Sequence, residues 1–264
     1  MKQALILNDI KITDISSEGS GVGRYDNRVV FVDKAVPGDV ADVKVYKTRK
    51  NFYEASIVNL KEVSSLRSEP FCQHFGTCGG CRWQHLKYEA QLQFKEKQVK
   101  DALERIGNQT GFETEIILGS PLQQAYRNRL DFGFSNKRFL TVEEIQSGKA
   151  FEDGAVGFHL PRLFDKVIDI EACYLMEDLN NQIRLAVKTF AIDNNLSFYD
   201  HRQHDGLLRG MVVRNTNLGE WMVIIMFGKE DRKGMEMVLH FIHTRFPQLR
   251  SLMYVVNTKR NDTF

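Results

Sequence analysis

Cys72-Gln73-His74-Phe75-Gly76-Thr77-Cys78-Gly79-Gly80-Cys81 sets three thiols in the order C-x5-C-x2-C. The remaining cysteine, Cys173, stands far downstream in Asp169-Ile170-Glu171-Ala172-Cys173-Tyr174. Thiolates are soft ligands that suit zinc or iron–sulfur clusters. Structural zinc held by four cysteines usually draws on two short-range pairs, whereas a three-plus-one arrangement is more typical of a cubane cluster. Gly79 and Gly80 let the backbone turn tightly and bring N–H groups near the sulfurs. The stretch therefore reads as an iron–sulfur loop, with Cys72, Cys78, Cys81 and Cys173 as metal ligands. His74 and His85 stand close enough to act as alternative ligands, which keeps zinc open, and cysteines also pack as small apolar core residues.

The cysteine loop divides two kinds of sequence. Residues 1–62 carry short β-branched runs, Val29-Val30-Phe31-Val32 and Ala41-Asp42-Val43-Lys44-Val45-Tyr46. Gly19-Ser20-Gly21-Val22-Gly23 and Pro37-Gly38-Asp39 supply turn signals around them. Strands at this spacing with no helix between them point to a small all-β barrel of the oligonucleotide-binding (OB-like) kind. Residues 63–70 read as a polar linker. Beyond the loop, Val99, Ala102, Leu103 and Ile106 fall at helical spacing within a helix over 86–106, closed by Gly107-Asn108. Strand-like segments follow near 116–118, 130–134, 156–159, 208–214, 221–227 and 252–256, with helix-like segments near 175–192 and 232–246. Residues 63–264 thus read as a central α+β domain with an antiparallel sheet and the iron–sulfur loop.

Of the 264 residues, 42% are hydrophobic and 27% charged, and the net charge is only +2, so any polyanion partner must meet a local patch. The run from Met1 to Asp9 is too short in apolar residues for a signal peptide, and the apolar stretch from Trp221 to Phe227 is far below a membrane span. The expectation is a cytoplasmic protein, in whose reducing surroundings four cysteines are not structural disulfides.

Two patches suit RNA. Lys44-Val45-Tyr46-Lys47-Thr48-Arg49-Lys50-Asn51-Phe52-Tyr53 interleaves cations with aromatics. Cations neutralise phosphates and aromatic faces stack on unpaired bases, which makes Lys47, Arg49, Lys50, Phe52 and Tyr53 candidate RNA contacts. In Tyr126-Arg127-Asn128-Arg129-Leu130-Asp131-Phe132, a strand would project Arg127 and Arg129 from one face. A solvated hairpin and ordinary surface ion pairs are the bland alternatives for the two patches. His201, His204 and Asp205 read as a polar surface turn.

These residues together resemble the RumA/RlmD-like RNA (uracil-5-)-methyltransferases. The resemblance rests on the cysteine array, on Tyr126-Arg127-Asn128-Arg129 and on Val156-Gly157-Phe158-His159. It rests also on Val167-Ile168-Asp169-Ile170 leading to Cys173, and on Leu208-Arg209-Gly210-Met211-Val212-Val213-Arg214. It implies a TRAM RNA-binding barrel over the first sixty residues or so. It implies a [4Fe–4S] cluster on the four cysteines, with a structural or RNA-shaping role, and places Arg127 and Arg129 toward bound RNA, ribosomal RNA above all. Members of that family end in a Rossmann-like domain that binds S-adenosylmethionine and carries a nucleophilic cysteine. No glycine-rich fingerprint of that kind stands in the second half, and the chain closes on Asn257-Thr258-Lys259-Arg260-Asn261-Asp262-Thr263-Phe264. The expectation is therefore the RNA-recognition and iron–sulfur part of such an enzyme, with its catalytic domain missing. It would be inactive alone, with no catalytic residue and with S-adenosylmethionine used only by a full-length protein. A stand-alone zinc or iron–sulfur RNA-binding module is the alternative. A radical enzyme would need C-x3-C-x2-C and an open iron, which this spacing does not match.

Overall fold

A computed structural model describes residues 5–148, 154–160 and 163–261; Met1–Ala4 and Asp262–Phe264, quoted above for the chain ends, lie outside them. The chain forms two compact units, one of Met1–Gly76 with Cys81–Ser120 and the other of Thr77–Gly80 with Pro121–Phe264.

In the first unit, β1 (Ile6–Lys11), β2 (Asp14–Ile15), β3 (Gly21–Tyr25), β4 (Arg28–Asp33), β5 (Val40–Thr48) and β6 (Phe52–Glu62) form one sheet in the order β1-β5-β6-β4-β3-β2. Period-two alternation selects its core face: Val30 and Val32 are fully buried while Phe31 between them is not. The core joins Leu7, Ile10, Ile12, Val30, Val32, Ala41, Val43 and Ala55. Asp26 and Asn27 both take positive φ, at 44° and 63°, giving the two-residue turn that joins β3 to β4. Gly23 is required by space, since a Cβ there would stand 2.7 Å from Ile10 Cγ2. α1 (Tyr88–Arg105) closes the unit through a second small core of Ile15, Val36, Leu86 and Ala90.

Three expectations are corrected here, and one helix is confirmed. The barrel is not closed: β1 and β2 are the two ends of the sheet order and, among the described residues, no ladder joins them. The stretch over 63–70 is no loose linker, because Ser64 is buried, its hydroxyl donating to Pro37 O at 2.6 Å. The helix expected over 86–106 is present as α1, with its apolar stripe turned away from the core. Val99, Leu103 and Ile106 are exposed, and Ala90 is the one residue of that helix that is buried. Finally, Ile116 and Leu118 form no strand and are 88% and 94% exposed.

The second unit holds β7 (Arg129–Ser135), α2 (Val142–Gln146), β8 (Ala155–Leu160), β9 (Leu163–Asp169), α3 (Leu179–Asp193), β10 (Leu208–Asn215), β11 (Trp221–Phe227), α4 (Arg232–Arg245) and β12 (Leu249–Val256). Its sheet runs β12-β11-β10-β7-β8-β9. The sheet is mixed rather than antiparallel, because β11 and β12 pair in parallel and α4 supplies the crossover that a parallel pair requires. α2, which hydrophobic periodicity did not show, is set by a capping box between Thr141 and Glu144. Among the described residues no helix is long and apolar enough to cross a membrane.

Asp39 is the polar anchor of the first unit. It is 1% exposed and accepts from Val36 N–H at 2.7 Å and Ser64 N–H at 3.0 Å. Arg67 grips it with Nε at 3.0 Å and Nη2 at 2.7 Å. Removing one partner of such a pair leaves a buried charge uncompensated. Asp39→Ala is expected to cost about 3–5 kcal/mol in urea denaturation, well beyond a surface substitution; a loss within a few tenths of a kcal/mol would show that the carboxylate anchors nothing.

Candidate functional site

The first candidate surface is built by register across four strands. Val22, Phe31, Glu54 and Lys47 form one row on the non-core face of the first sheet, and Arg24, Val29 and Phe52 form the next. Phe31 and Phe52 meet edge to face with centroids 5.5 Å apart. Lys47 pairs with Glu54 at 2.5 Å, so part of its charge is already balanced. Arg49 and Lys50 are exposed at the β5–β6 turn, which the Arg49 N–H closes by donating to Phe52 O at 2.9 Å. Tyr53 points the other way. Its ring packs against the core, and its hydroxyl accepts from Arg28 Nη1 at 2.8 Å while the Arg28 guanidinium lies 5.3 Å from the ring centroid. Sequence reading missed Arg24 and Phe31. The alternation of Val29-Val30-Phe31-Val32 signals an outward Phe31, but only the pairing of β4 with β6 sets it beside Phe52.

The second surface lies at the start of β7. The strand begins at Arg129, so Arg127 precedes it and does not share its face by alternation; Asp131 does. Arg127 is exposed, and its N–H donates to Leu175 O at 2.8 Å. Arg129 holds Asp131 through Nε at 3.0 Å and Nη2 at 2.8 Å, and this contact raises its pKa.

Of the thiols, Cys72, Cys78 and Cys81 are half-buried, and Cys173 is buried at 7% exposure. The Cys72 N–H donates to Gln84 Oε1 at 3.2 Å. Cys173 sits in a rigid cradle: its N–H donates to Asn181 Oδ1 at 2.8 Å, and Asn180 Nδ2 reaches Glu177 O at 2.6 Å. These bonds consume residues 173–178 in a loop, which is why α3 starts at Leu179 rather than near Leu175. Beneath them Arg184 is fully buried, donating to Ile170 O at 2.5 Å and Glu171 O at 2.9 Å. Burial pushes its pKa down to about 10, with Asp169 and Cys173 pulling it back. The donor chemistry of four thiols suits an iron–sulfur cluster. The geometry adds nothing to this: among the described residues, no group of three or more His, Cys, Asp or Glu side chains is placed to hold a metal ion. The iron–sulfur loop therefore stands uncorroborated by the geometry.

His85, the alternative ligand, is 4% exposed and packs against Phe75 with tilted rings, centroids 5.1 Å apart. His201 sits in a turn ordered by Asp200, which accepts from the Arg202 and Gln203 N–H groups at 2.8 and 3.0 Å.

A sheet face of half-buried, paired aromatics rimmed by cations is now in view, and the first unit can be placed. Residues 8–58 match the TRAM domain family. The TRAM domain covers β2 to β5 and most of β1 and β6. Beyond it, the chain is 43% identical to a Porphyromonas gingivalis protein named as an uncharacterized RNA methyltransferase, over 96% of this chain and 56% of that one. A protein of the same name from Chlorobaculum tepidum is 35% identical over 96% of this chain and 54% of its own length. The crystal structure of Pyrococcus abyssi tRNA (uracil-54, C5)-methyltransferase with S-adenosyl-L-homocysteine superposes with a TM-score of 0.65 at 25% identity. It covers 96% of this chain and 52% of that one. The chain thus spans a little over half the length of the relatives it matches.

These findings correct the expectation of a recognition part without catalysis. The match to proteins named RNA methyltransferases runs along 96% of the chain, TRAM domain and second unit alike, so function is read from them and not from the position of the last residue. The expected inactivity of the chain has no support either.

His85 yields a pH prediction. Burial lowers its pKa from 6.5 to about 4, and the Arg67 charge adds to the effect. The fold favours the neutral ring, so its contribution to stability is complete above pH 6.5 and is lost as pH falls toward about 4. Chemical denaturation between those limits is expected to show stability falling by up to about 1.4 kcal/mol per pH unit. His85→Gln should flatten that slope; an unchanged slope would mean that other groups carry it.

Proposed function

We propose that this protein methylates C5 of uridine in RNA with S-adenosylmethionine as donor. The observation that carries the reading is the structural likeness, over 96% of the chain, to the Pyrococcus abyssi uracil-C5 methyltransferase with its bound S-adenosyl-L-homocysteine. Relatives named as RNA methyltransferases support it from sequence. In this reading residues 1–62 grip RNA, with Arg49, Lys50 and Phe52 touching the strand and Lys47 and Tyr53 shaping the surface. Residues 63–264, through Arg127 and Arg129, position the target. Ribosomal RNA is the proposed substrate and the cytoplasm the proposed compartment. Protein incubated with S-adenosylmethionine tritiated on its methyl group is expected to place label in 5-methyluridine of ribosomal RNA. Label in tRNA alone would move the substrate to the class named for the structural neighbour; label in neither would sink the reading.

The cysteine spacing supports a separate element of the proposal, a [4Fe–4S] cluster on Cys72, Cys78, Cys81 and Cys173. Protein purified without oxygen is expected to be brown, with a band near about 400 nm and roughly four irons and four sulfides per chain. Colourless protein with about one zinc would replace the cluster with a zinc staple. Folded protein with neither metal would return the cysteines to core packing.

A further inference from the structure

Two arginines stand directly opposite each other in the second sheet: the β7–β10 ladder pairs Arg129 with Arg214. Side chains so placed have Cβ atoms about 4.5–5.5 Å apart on one face, where like charges repel. Asp131, two residues along that face, engages Arg129 and neutralises one of the two charges. Arg214 is exposed and, among the described residues, has no carboxylate partner. The same holds for Arg127. The ladder extends one step beyond the strand, with the Asn215 N–H donating to Asn128 O at 3.3 Å, and this ties Arg127 to the same corner. Arg129 and Arg214 thus share one carboxylate, Asp131, on an open surface, with the exposed Arg127 two residues before the strand. A fold that accepts such repulsion is poised for an anion rich in acceptor oxygens. A phosphodiester, with two non-bridging oxygens, meets a pair of arginine forks well.

We propose that Arg214 is a phosphate-binding residue, forming with Arg129 a two-arginine grip on one phosphate of the RNA backbone. Asp131 keeps Arg129 oriented in the unliganded protein and yields it when the phosphate arrives. The inference rests on the reading that this protein binds RNA. It adds a residue on β10 that nothing else assigns, and it commits to backbone contact over base recognition. A base-edge contact would discriminate sequence, whereas a phosphate contact weakens all sequences alike when lost.

The test measures binding of fluorescein-labelled oligouridylate and of a guanine-containing single strand to the whole chain across a range of salt. Arg214→Gln is expected to weaken both by about 5–10-fold at low salt and to reduce the salt slope by about 0.7. Arg214→Lys, which keeps the charge, should restore the slope and part of the affinity. Asp131→Asn should tighten binding. Thermal melts of each variant separate loss of binding from loss of fold. Unchanged affinity and slope in Arg214→Gln would overturn the grip, as would a loss confined to the guanine-containing strand. Phe52→Ala reports on the TRAM domain separately, because stacking loss weakens binding with little change in slope. No effect there beside a full effect at Arg214 would sink the TRAM contact and leave the grip standing; wild-type protein that binds neither strand would sink both.

Discussion

The second unit is organised around a charge that has no water. Arg184 is fully buried in α3, and its guanidinium donates to the carbonyls of Val156, Ile170 and Glu171 while lying over the Phe132 ring at 5.6 Å. Burying such a cation is expensive unless its donors are used, and here backbone carbonyls from β8 and the loop after β9 take both Nη groups, while Nε has no partner among the described residues. One side chain thereby locks a helix to two strands and to the loop that carries Cys173. That loop in turn hydrogen-bonds the chain leading to β7, through the Ala125 and Arg127 N–H groups on Tyr174 O and Leu175 O at 2.8 Å. The arginine corner of the sheet is therefore held by the same framework as the buried thiol.

Asp39 plays the matching part in the first unit, an interior carboxylate consumed by two backbone amides and one arginine fork. Both devices free the remaining charged side chains for the surface. In the TRAM domain this leaves Arg24, Arg49 and Lys50 around Phe31 and Phe52, a combination suited to stacking on and neutralising a single strand. Arg209 repeats the principle at the end of β12, giving its Nη1 to Asn257 O at 2.8 Å and Lys259 O at 2.6 Å.

How much could be read beforehand depended on the kind of signal. β11 was legible to the residue because a short, continuously apolar run flanked by polar residues has few alternatives. α4 was legible through its periodicity, with Asp231 capping the Gly234 N–H at 3.1 Å. The stripe of Val99, Leu103 and Ile106 signalled α1, although helical periodicity shows that a helix has an apolar face and not that the fold covers it. Ile116 and Leu118 misled, because β-branched and aliphatic residues are at home in strands only when a neighbour offers a ladder. In the candidate sites, Phe52 and Arg129 were visible as residue types in suggestive company, whereas Arg214 closed a run that carried the family resemblance without showing what it would stand beside.

Local chemistry, then, was written in the sequence: which runs alternate, where turns fall, which thiols cluster, and where cations sit beside aromatics. Those properties depend on neighbours within a few residues, so the chain states them directly. Tertiary structure alone decided which strands pair and in what order. That order left the first sheet open, joined β11 to β12 in parallel, set Phe31 beside Phe52 and brought Arg214 opposite Arg129. Pairing depends on hydrogen-bond register between segments far apart in sequence, and a shift of one residue would turn every side chain to the other face. No local pattern encodes that choice; it emerges when the whole core is assembled at once.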